Sequence, residues 1–510
     1  MWIAVVVLAV AAAAFALLKH MHMFQLNAYS PSGQLVWLGH HRTYWAGQIV
    51  AGLLALLTLL WTGGAVALIV WLALMVVAGF PRHRVAKKPL HVTSRVVRMF
   101  VTSGVLVALL VVVTLLVPPG AKALCGALPY ALSPLWVVLA NGVNAPVEAG
   151  VRRHYLNEAK ALLASHPSLI RIGITGSYGK TSLKFYLTTL LKGHFSVLMT
   201  PESYNTPMGI TKTIRADLRA THEVFVCEMG AGRIGDIKAD CDLVNPTIGV
   251  ITAIGEQHLE TFGSQAAILQ TKLELAAAVK GKGMLYLGGD NPILRANQPD
   301  QARQLYGLRP DNDTYADDIT VGVSGTTFSL THLGRRLTEL RTPLLGAHTV
   351  QNLAGAIAVA LDLGVTEAEI RTQLTKLAPA PHRLALQRQG DVTIIDDAYN
   401  SNPAGAQAAL DVLAMFDGLK ILITPGMVEL GPRQDPLNEA FGAAATGCDH
   451  VFLVGPKQTE PIARGLLGAG YPPERLTVVS DVQQAIAQAK ALPGTGPRTI
   501  LLENDLPDNY

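Results

Sequence analysis

The stretch "GITGSYGKTS", residues 173–182, decides the fold of this chain. An apolar run of strand length, residues 170–174, leads into it, and a helical pattern begins near Thr181. A strand that enters a helix through a glycine-rich turn brings backbone N–H groups and the helix amino terminus to one point, where they suit a phosphate group. Gly176 and Gly179 allow the backbone to approach such a group closely. The stretch therefore predicts a nucleotide-binding α/β domain.

The polar side chains of this loop predict its ligand. Lys180 places a positive charge against the β- and γ-phosphates of a nucleotide, and the Thr181 hydroxyl can bind Mg²⁺. Ser177 and Ser182 complete the candidate cofactor-binding residues of the loop. Ile174 stands where the usual phosphate-loop motif, GxxxxGK followed by Ser or Thr, has its first glycine. We therefore predict a nucleotide-binding site with a variant phosphate loop.

Apolar runs and helical patterns alternate from this loop to the end of the chain. Helical patterns such as residues 181–192 and 264–279 separate the runs. Such alternation is typical of α/β domains with mostly parallel sheets. We predict a central ATP-binding domain over residues 151–378 and a Rossmann-like carboxy-terminal domain over residues 379–510. The predicted strands are residues 170–175, 223–227, 247–252, 283–287, 393–396, 420–424, 450–454, 476–479 and 498–502.

The first 150 residues have a different composition. Half of the 510 residues of the chain are hydrophobic and only 15% are charged, and the apolar excess lies near the amino terminus. A helix needs about 20 apolar residues to cross a bilayer, so we predict an amino-terminal helical membrane domain over residues 1–150 with about five spans. A cleaved signal peptide at residues 1–18 is disfavoured, because the segment lacks a basic start and a cleavage site. The apolar segments are residues 2–18, 47–80 as two short helices, 99–117 and 121–142.

A basic loop orients these predicted spans. Residues 81–98 contain no acid, and basic loops normally stay in the cytoplasm. We therefore predict a multi-pass protein of the cytoplasmic membrane, in contact with membrane lipid, whose catalytic domains lie in the cytoplasm. The alternative role for the loop is a specific lipid headgroup site. No nucleic-acid recognition motif accompanies the net charge of +4, so we expect no nucleic-acid partner. The basic residues of the loop are Arg82, Arg84, Lys87, Lys88, Arg95 and Arg98.

Six further motifs follow the phosphate loop. With "TGSYGKTS", they make this part of the chain resemble the Mur ligases, the ATP-dependent amide ligases of peptidoglycan synthesis. The segment "IDDAYNSNP" followed by "GMVELG" (426–431) is most similar to the branch that adds D-alanyl-D-alanine. The six motifs are "YNTPMGI" (204–210), "VCEMGAGRIGDI" (226–237), "ITAIGEQHLETFGS" (251–264), "TKLEL" (271–275), "LLGAHTVQNLAGAIAVALDLG" (344–364) and "IDDAYNSNPAGAQAAL" (395–410).

The resemblance implies a metal site with two Mg²⁺ ions. Glu228 ends an apolar strand, where a carboxylate can hold a metal opposite the phosphate loop, although such residues are often only solvated. Lys272 would be carbamylated and bridge the two ions, whereas without the resemblance it reads as a surface lysine. Glu260 could orient the imidazole of His258 or be exposed. The implied metal ligands are Thr181, Glu228, His258 and Lys272.

The resemblance also implies nucleotide contacts beyond the loop. Asn352 would contact adenine, Arg383 would reach the ATP phosphates, and Asp397 would lie near the ribose and the domain hinge. Without the resemblance, the segment around Asp397 reads as a strand end followed by a helix cap at Asn402. The residues Tyr399, Asn400 and Asn402 would face the reaction cleft, and the implied catalytic residues are Lys180, Lys272, His258 and Arg383.

In the implied reaction, ATP converts a carboxylate into an acyl phosphate, and an amine then displaces phosphate to form an amide. The expected substrates are a muramyl peptide, UDP-linked or lipid-linked, and D-alanyl-D-alanine or another amine. Membrane segments stand in place of the family's UDP-binding domain, which favours a lipid-linked donor, and the ending "TILLENDLPDNY" lacks the glycine–serine expected near the acceptor. The alternatives are a membrane-anchored ligase of another polymer such as poly-glutamate, an ATP-driven transporter and an ATP-binding scaffold.

Overall fold

The computed structural model describes most of the chain in two compact units. The first unit ends at His154 and the second begins at Tyr155. The described residues are 2–27, 29–40, 50, 89–116, 132–255, 259–399, 401–428, 430–455, 458–494 and 496–505.

Long helices form the described part of the first unit. Among the described residues, one helix is long and apolar enough to cross a bilayer, by length and composition, over Ser94–Val113. It coincides with the predicted span at residues 99–117, whereas residues 51–80 and 121–131 of the other predicted spans lie outside the described residues. The domain boundary predicted at residue 150 falls inside a helix. The helices are α1 Trp2–Leu26, α2 Pro31–His40, α3 Ser94–Leu116 and α4 Ser133–Ala164.

Helices α3 and α4 contact each other through polar side chains. Arg98 lies 2.7 Å from Glu148, and the Asn144 amide donates to the Thr102 hydroxyl at 2.8 Å. Both helices also bury apolar side chains in one cluster that includes Val96 and Trp136. Further apolar side chains of both helices are exposed and repeat about every fourth residue. These exposed side chains are Val97, Val101, Val105 and Leu109 of α3 and Leu135, Leu139, Val143 and Val147 of α4.

A nine-stranded sheet forms the centre of the second unit. Its order is β2-β3-β1-β4-β5-β6-β7-β8-β9, parallel from β2 to β7 and antiparallel from β7 to β9. The core covers both faces, because α5 and α11 pack on one side and α6, α7 and α9 on the other. The strands are β1 Ile170–Thr175, β2 Val197–Met199, β3 Val224–Glu228, β4 Ile248–Ile251, β5 Leu285–Gly288, β6 Arg303–Gly307, β7 Thr314–Gly322, β8 Gly325–His332 and β9 Arg335–Thr342. The helices are α5 Lys180–Leu191, α6 Pro207–Asp217, α7 Asp236–Val244, α8 Leu259–Phe262, α9 Gln265–Val279, α10 Pro292–Ala296, α11 Ala347–Asp362 and α12 Glu367–Leu374.

A six-stranded sheet follows in the same unit, in the order β10-β11-β15-β12-β13-β14, with only β10 antiparallel. The predicted α/β fold with mostly parallel sheets is thereby confirmed. Asn402 caps α13 as predicted, since its side-chain oxygen accepts from the Gly405 amide at 3.0 Å. The strands are β10 Ala385–Gln389, β11 Val392–Asp397, β12 Leu419–Thr424, β13 His450–Val454, β14 Leu476–Val479 and β15 Arg498–Glu503. The helices are α13 Pro403–Ala414, α14 Gln434–Ala444, α15 Glu460–Gly468 and α16 Val482–Ala491.

Candidate functional site

The phosphate loop joins β1 to α5, and two of its glycines are required by geometry. Gly176 has φ +146° and lies against Thr252, and Gly179 has φ +78°. A side-chain carbon at Gly179 would come within 2.6 Å of the amide oxygen of Asn352. Asn352 therefore lies against the loop itself. The hydroxyl of Ser177 accepts from the Gly255 amide at 3.0 Å, which ties the loop to the end of the neighbouring strand β4.

Lys180 begins α5, and its ammonium group folds back over the loop. It donates to the backbone oxygens of Gly176 at 2.7 Å and Ser177 at 3.2 Å. Burial lowers the pKa of Lys180; Glu228 opposes this shift and the positive charge of Arg383 adds to it. A charged lysine in such a place interacts strongly with a phosphate, because little water screens it.

Glu228, at the end of β3, is buried and surrounded by donors. The Thr181 hydroxyl donates to its two oxygens at 3.0 and 3.2 Å, and the Asn205 amide donates to one of them at 3.1 Å. Carboxylate and hydroxyl oxygens beside a phosphate loop are ligands that Mg²⁺ accepts together with substrate phosphates. The predicted pair Thr181 and Glu228 is thus brought together in a form that fits Mg²⁺.

Lys184 is a partner of Glu228 that the sequence analysis missed. Its ammonium group lies 3.0 Å from a Glu228 oxygen, and both side chains are almost fully buried. The available signal was a lysine within an apolar helical run, one turn after Lys180.

A cleft of about 850 Å³ runs from the phosphate loop to the carboxy-terminal sheet. Arg383 lies over the Tyr399 ring, 4.8 Å from its centre, and Asp397 accepts from the Leu384 amide at 3.2 Å. Both Arg383 and Asp397 line the cleft together with Lys180. The structure therefore brings these predicted nucleotide-binding residues together, although they come from different parts of the second unit. Thr181, Ser182, Glu228, Asn352, Tyr399 and Asn402 also line it.

A second pocket, of about 330 Å³, lies on the other side of the loop. Lys180 and Lys272 both line it, and Lys180 thus faces the pocket and the cleft. Burial, followed by the nearby charge of Lys180, lowers the pKa of Lys272 to about 7. Lys272 is buried in α9. It is therefore not the surface lysine that the sequence suggests when the family resemblance is left aside.

Two carboxyl groups lie side by side at the carboxyl ends of two neighbouring strands of the carboxy-terminal sheet. Asp397 and Glu503 are register partners in β11 and β15, and the Ser401 hydroxyl donates to Glu503 at 2.5 Å. Burial raises the pKa of both groups. The neighbouring Asp397 raises the pKa of Glu503 further, whereas Arg383 and a hydrogen bond with Glu503 oppose the shift of Asp397. Glu503 was not identified from the sequence, because its proximity to Asp397 depends on the strand register.

Other predicted site residues lie outside the described part of the chain. These include His258 and Asn400, and the side chain of Glu260. Within the described part, no group of three His, Cys, Asp or Glu side chains could hold a metal. The second metal ion that the resemblance implies therefore stays a prediction.

Asp240 of α7 is a buried acid near Lys272 that the sequence analysis also missed. Within the described residues, neither of its carboxylate oxygens has a hydrogen-bond partner. Burial, then the charge of Asp236, raises the pKa of Asp240 to about 9, while Lys272 opposes the shift. A buried acid without donors destabilises the folded state.

Asp240→Leu is therefore expected to raise the free energy of unfolding by about 2–4 kcal/mol at pH 8. Folding raises the pKa of Asp240, so the acid destabilises the folded state least at low pH, where it is protonated in both the folded and the unfolded protein. The destabilisation increases as the pH rises toward about 9. The gain should consequently be smaller at pH 5. Thermal unfolding at both pH values measures it. Asp242→Leu is the control, since Asp242 is exposed and pairs with Lys238 at 2.6 Å, and equal gains in the two variants would contradict the argument.

The glycine-rich loop between β1 and α5, the buried Glu228 carboxylate and the position of Lys180 define a protein with a phosphate loop. Residues 174–360 match the Mur ligase middle domain, and residues 382–502 match the Mur ligase, glutamate ligase domain. Over these residues the chain belongs to the Mur ligase family. The resemblance noted in the sequence is confirmed for these two domains.

Individual relatives agree with this assignment. The chain is 33% identical, over 58% of its length and 65% of the relative's, to the UDP-N-acetylmuramoyl-tripeptide--D-alanyl-D-alanine ligase of Bacillus subtilis. It thus spans less than two thirds of that relative. Two solved structures are similar with TM-scores of 0.62: MurF from Acinetobacter baumannii, at 25% identity over 69% of this chain and 77% of that one, and the MurF ligase from Thermotoga maritima in complex with ADP, at 26% over 69% and 80%.

Proposed function

We propose that this protein is an ATP-dependent amide ligase that acts through an acyl phosphate. The observation that carries the proposal is the position of Lys180, which faces the cleft on one side and the second pocket on the other. A nucleotide in the cleft would present its γ-phosphate at Lys180, and a carboxylate in the pocket would meet it there. Transfer of the phosphoryl group makes the carboxylate reactive toward an amine, which expels phosphate and leaves an amide.

The residues around this point have matching charges. Lys180 and Arg383 are positive groups that can hold the triphosphate in line with the acceptor carboxylate. Mg²⁺ at Glu228 and Thr181 would neutralise charge that develops on the transferred phosphoryl group. Asp397 and Tyr399 line the cleft from the side of the carboxy-terminal sheet. A nucleotide bound across the cleft would therefore lie close to the carboxy-terminal domain, where we propose that the amine binds.

We also propose that Lys272 is carbamylated. The reaction joins CO₂ to a neutral amine and releases a proton, and burial favours the neutral amine at Lys272. The product is a carboxylate facing the second pocket, a better neighbour for a metal than an ammonium group.

The relatives suggest the substrates. The Bacillus relative is named for a UDP-N-acetylmuramoyl-tripeptide and D-alanyl-D-alanine, and we propose a muramyl peptide donor and D-alanyl-D-alanine or a similar amine here. The family models begin at residue 174, so the first unit lies outside them.

We propose that the first unit lies in the cytoplasmic membrane and that the donor is lipid-linked. The polar contacts between α3 and α4, together with the rows of exposed apolar side chains on both helices, favour this. In water, helices usually pack apolar side chains against each other and expose polar ones. Helices in lipid instead place polar groups toward each other. The basic loop at residues 81–98 favours catalytic domains on the cytoplasmic side.

One assay on the full-length protein in lipid nanodiscs tests these proposals. Phosphate release is measured with ATP, Mg²⁺, a panel of amines and either UDP-linked or polyprenyl-linked muramyl peptide, and products are identified by mass spectrometry. We expect release only with donor and amine together, and faster release with the polyprenyl-linked donor.

The other outcomes contradict distinct parts of the proposal. Hydrolysis without an amine would indicate a transporter, and no turnover with any pair of substrates would indicate a scaffold. If glutamate were the one amine of the panel that supports turnover, a poly-glutamate ligase would be favoured. Equal rates with the UDP-linked and the polyprenyl-linked donor would contradict the proposal of a lipid-linked donor.

A further inference from the structure

We propose that Lys184 is a positioning residue that shares the Glu228 carboxylate with the metal and ties it to residues 201–206, so that it sets the Mg²⁺ requirement of nucleotide binding. The inference rests on the proposed nucleotide site and adds a residue that neither the phosphate-loop motif nor the sequence analysis includes.

The first support is the environment of the lysine. Lys184 has no exposed surface, and its ammonium group also lies over the Phe185 ring, 5.2 Å from its centre. It lies 3.0 Å from Glu228 and also donates to the backbone oxygen of Glu202. A buried ammonium group needs such partners in place of the water that it loses. Lys184 therefore depends on Glu228 and on the segment that contains Glu202.

The second support is the position of that segment. Glu202 has φ +40°, an unfavourable value for a residue other than glycine, and the contact with Lys184 holds its carbonyl group. Three residues further on, Asn205 donates to Glu228 at 3.1 Å and lines both the cleft and the second pocket. Its backbone oxygen accepts from the Gly230 amide at 2.7 Å. Lys184 thus connects the proposed metal ligand to a wall of both cavities.

The two lysines of α5 have different tasks. Lys180 and Lys184 are one turn apart, yet Lys180 donates to the loop carbonyls of Gly176 and Ser177 whereas Lys184 donates to Glu228 and Glu202. Lys180 is open to both cavities, and Lys184 lines neither. Lys184 can therefore act only through the groups that it holds.

The charge of Lys184 opposes metal binding. A divalent cation on Glu228 must share the carboxylate with an ammonium group 3.0 Å away, and two positive charges on one buried carboxylate repel each other. Removal of the ammonium group leaves the carboxylate without its counter-charge and therefore strengthens its interaction with a metal ion. The same removal frees the Glu202 carbonyl and loosens residues 201–206.

Titration calorimetry of the full-length protein with ADP, at a series of Mg²⁺ concentrations, tests the inference. In Lys184→Met, we expect the Mg²⁺ concentration for half-maximal ADP binding to fall roughly tenfold, and hydrogen exchange to become faster at residues 201–206. Lys184→Arg keeps the charge and should keep the wild-type Mg²⁺ requirement. Lys192→Met is the matched control, because Lys192 is exposed just beyond the end of the same helix.

The results separate this inference from the proposed function. An unchanged or higher Mg²⁺ requirement in Lys184→Met, with unchanged exchange at residues 201–206, would overturn the role of Lys184. Failure of the wild-type protein to bind ADP in Mg²⁺ would instead contradict the proposed nucleotide site. If Lys184→Met does not fold, Lys184→Gln carries the same expectation for Mg²⁺, since it also removes the charge.

Discussion

Lys180→Ala is expected to lower ATP-dependent amide formation by about 10²–10³-fold or more. Within the described residues, Lys180 is the one positive side chain that lines both the cleft and the second pocket. Lys272 lines the second pocket alone. Its removal takes away a buried charge at the point where the phosphoryl group would pass between two oxygens. Product formation with saturating ATP, donor and amine measures the loss.

The control for this prediction is Lys192→Ala, which removes an exposed lysine near the same helix. Its activity should equal that of the wild-type protein. Calorimetry with ADP should also show weaker binding in Lys180→Ala, because the ground-state phosphates lose a charge partner. Wild-type rates in Lys180→Ala would refute the proposed reaction.

Lys272→Met is expected to lower amide formation by about 10–10²-fold, through loss of the carbamate that would face the second pocket. Methionine preserves the length and the apolar packing of the buried stem, so the loss should come from the missing carboxylate. In wild-type protein equilibrated with ¹³C-bicarbonate, a carbamate carbon signal is expected that Lys272→Met lacks. The signal should grow as the pH rises through about 7, because only the neutral amine combines with CO₂.

Lys280→Met is the matched control for Lys272, since Lys280 is exposed at the carboxy-terminal end of the same helix. It should retain both the carbamate signal and activity. A wild-type protein without a carbamate signal, yet fully active, would remove the carbamate from the proposal and leave the ligase activity standing.

Local sequence was sufficient for most of the parallel strands and for the phosphate loop, whereas the parallel strands β2 and β6 were not predicted. β1, β13 and β14 have the bounds predicted for them, and β3, β4, β11, β12 and β15 differ only by a residue or so at an end. Strands buried on both faces are short continuous apolar runs, and the glycines between β1 and α5 mark a turn that other residues cannot adopt. The antiparallel strands β7 to β9 were missed, because polar residues interrupt the apolar pattern in all three strands and charged residues do so in β7 and β9.

The fold class, the phosphate loop and the resemblance to the Mur ligases follow from the amino-acid sequence alone, because they depend on short-range periodicity and on motifs that are contiguous in the chain. The three-dimensional fold was needed to show that Lys180 faces two cavities, that Lys184 and Asn205 hold Glu228, and that Asp240 is buried without a donor among the described residues. The reason is physical: whether a charged side chain is solvated, paired or buried depends on residues brought to it from distant parts of the chain, and no pattern within one helix or strand contains that information.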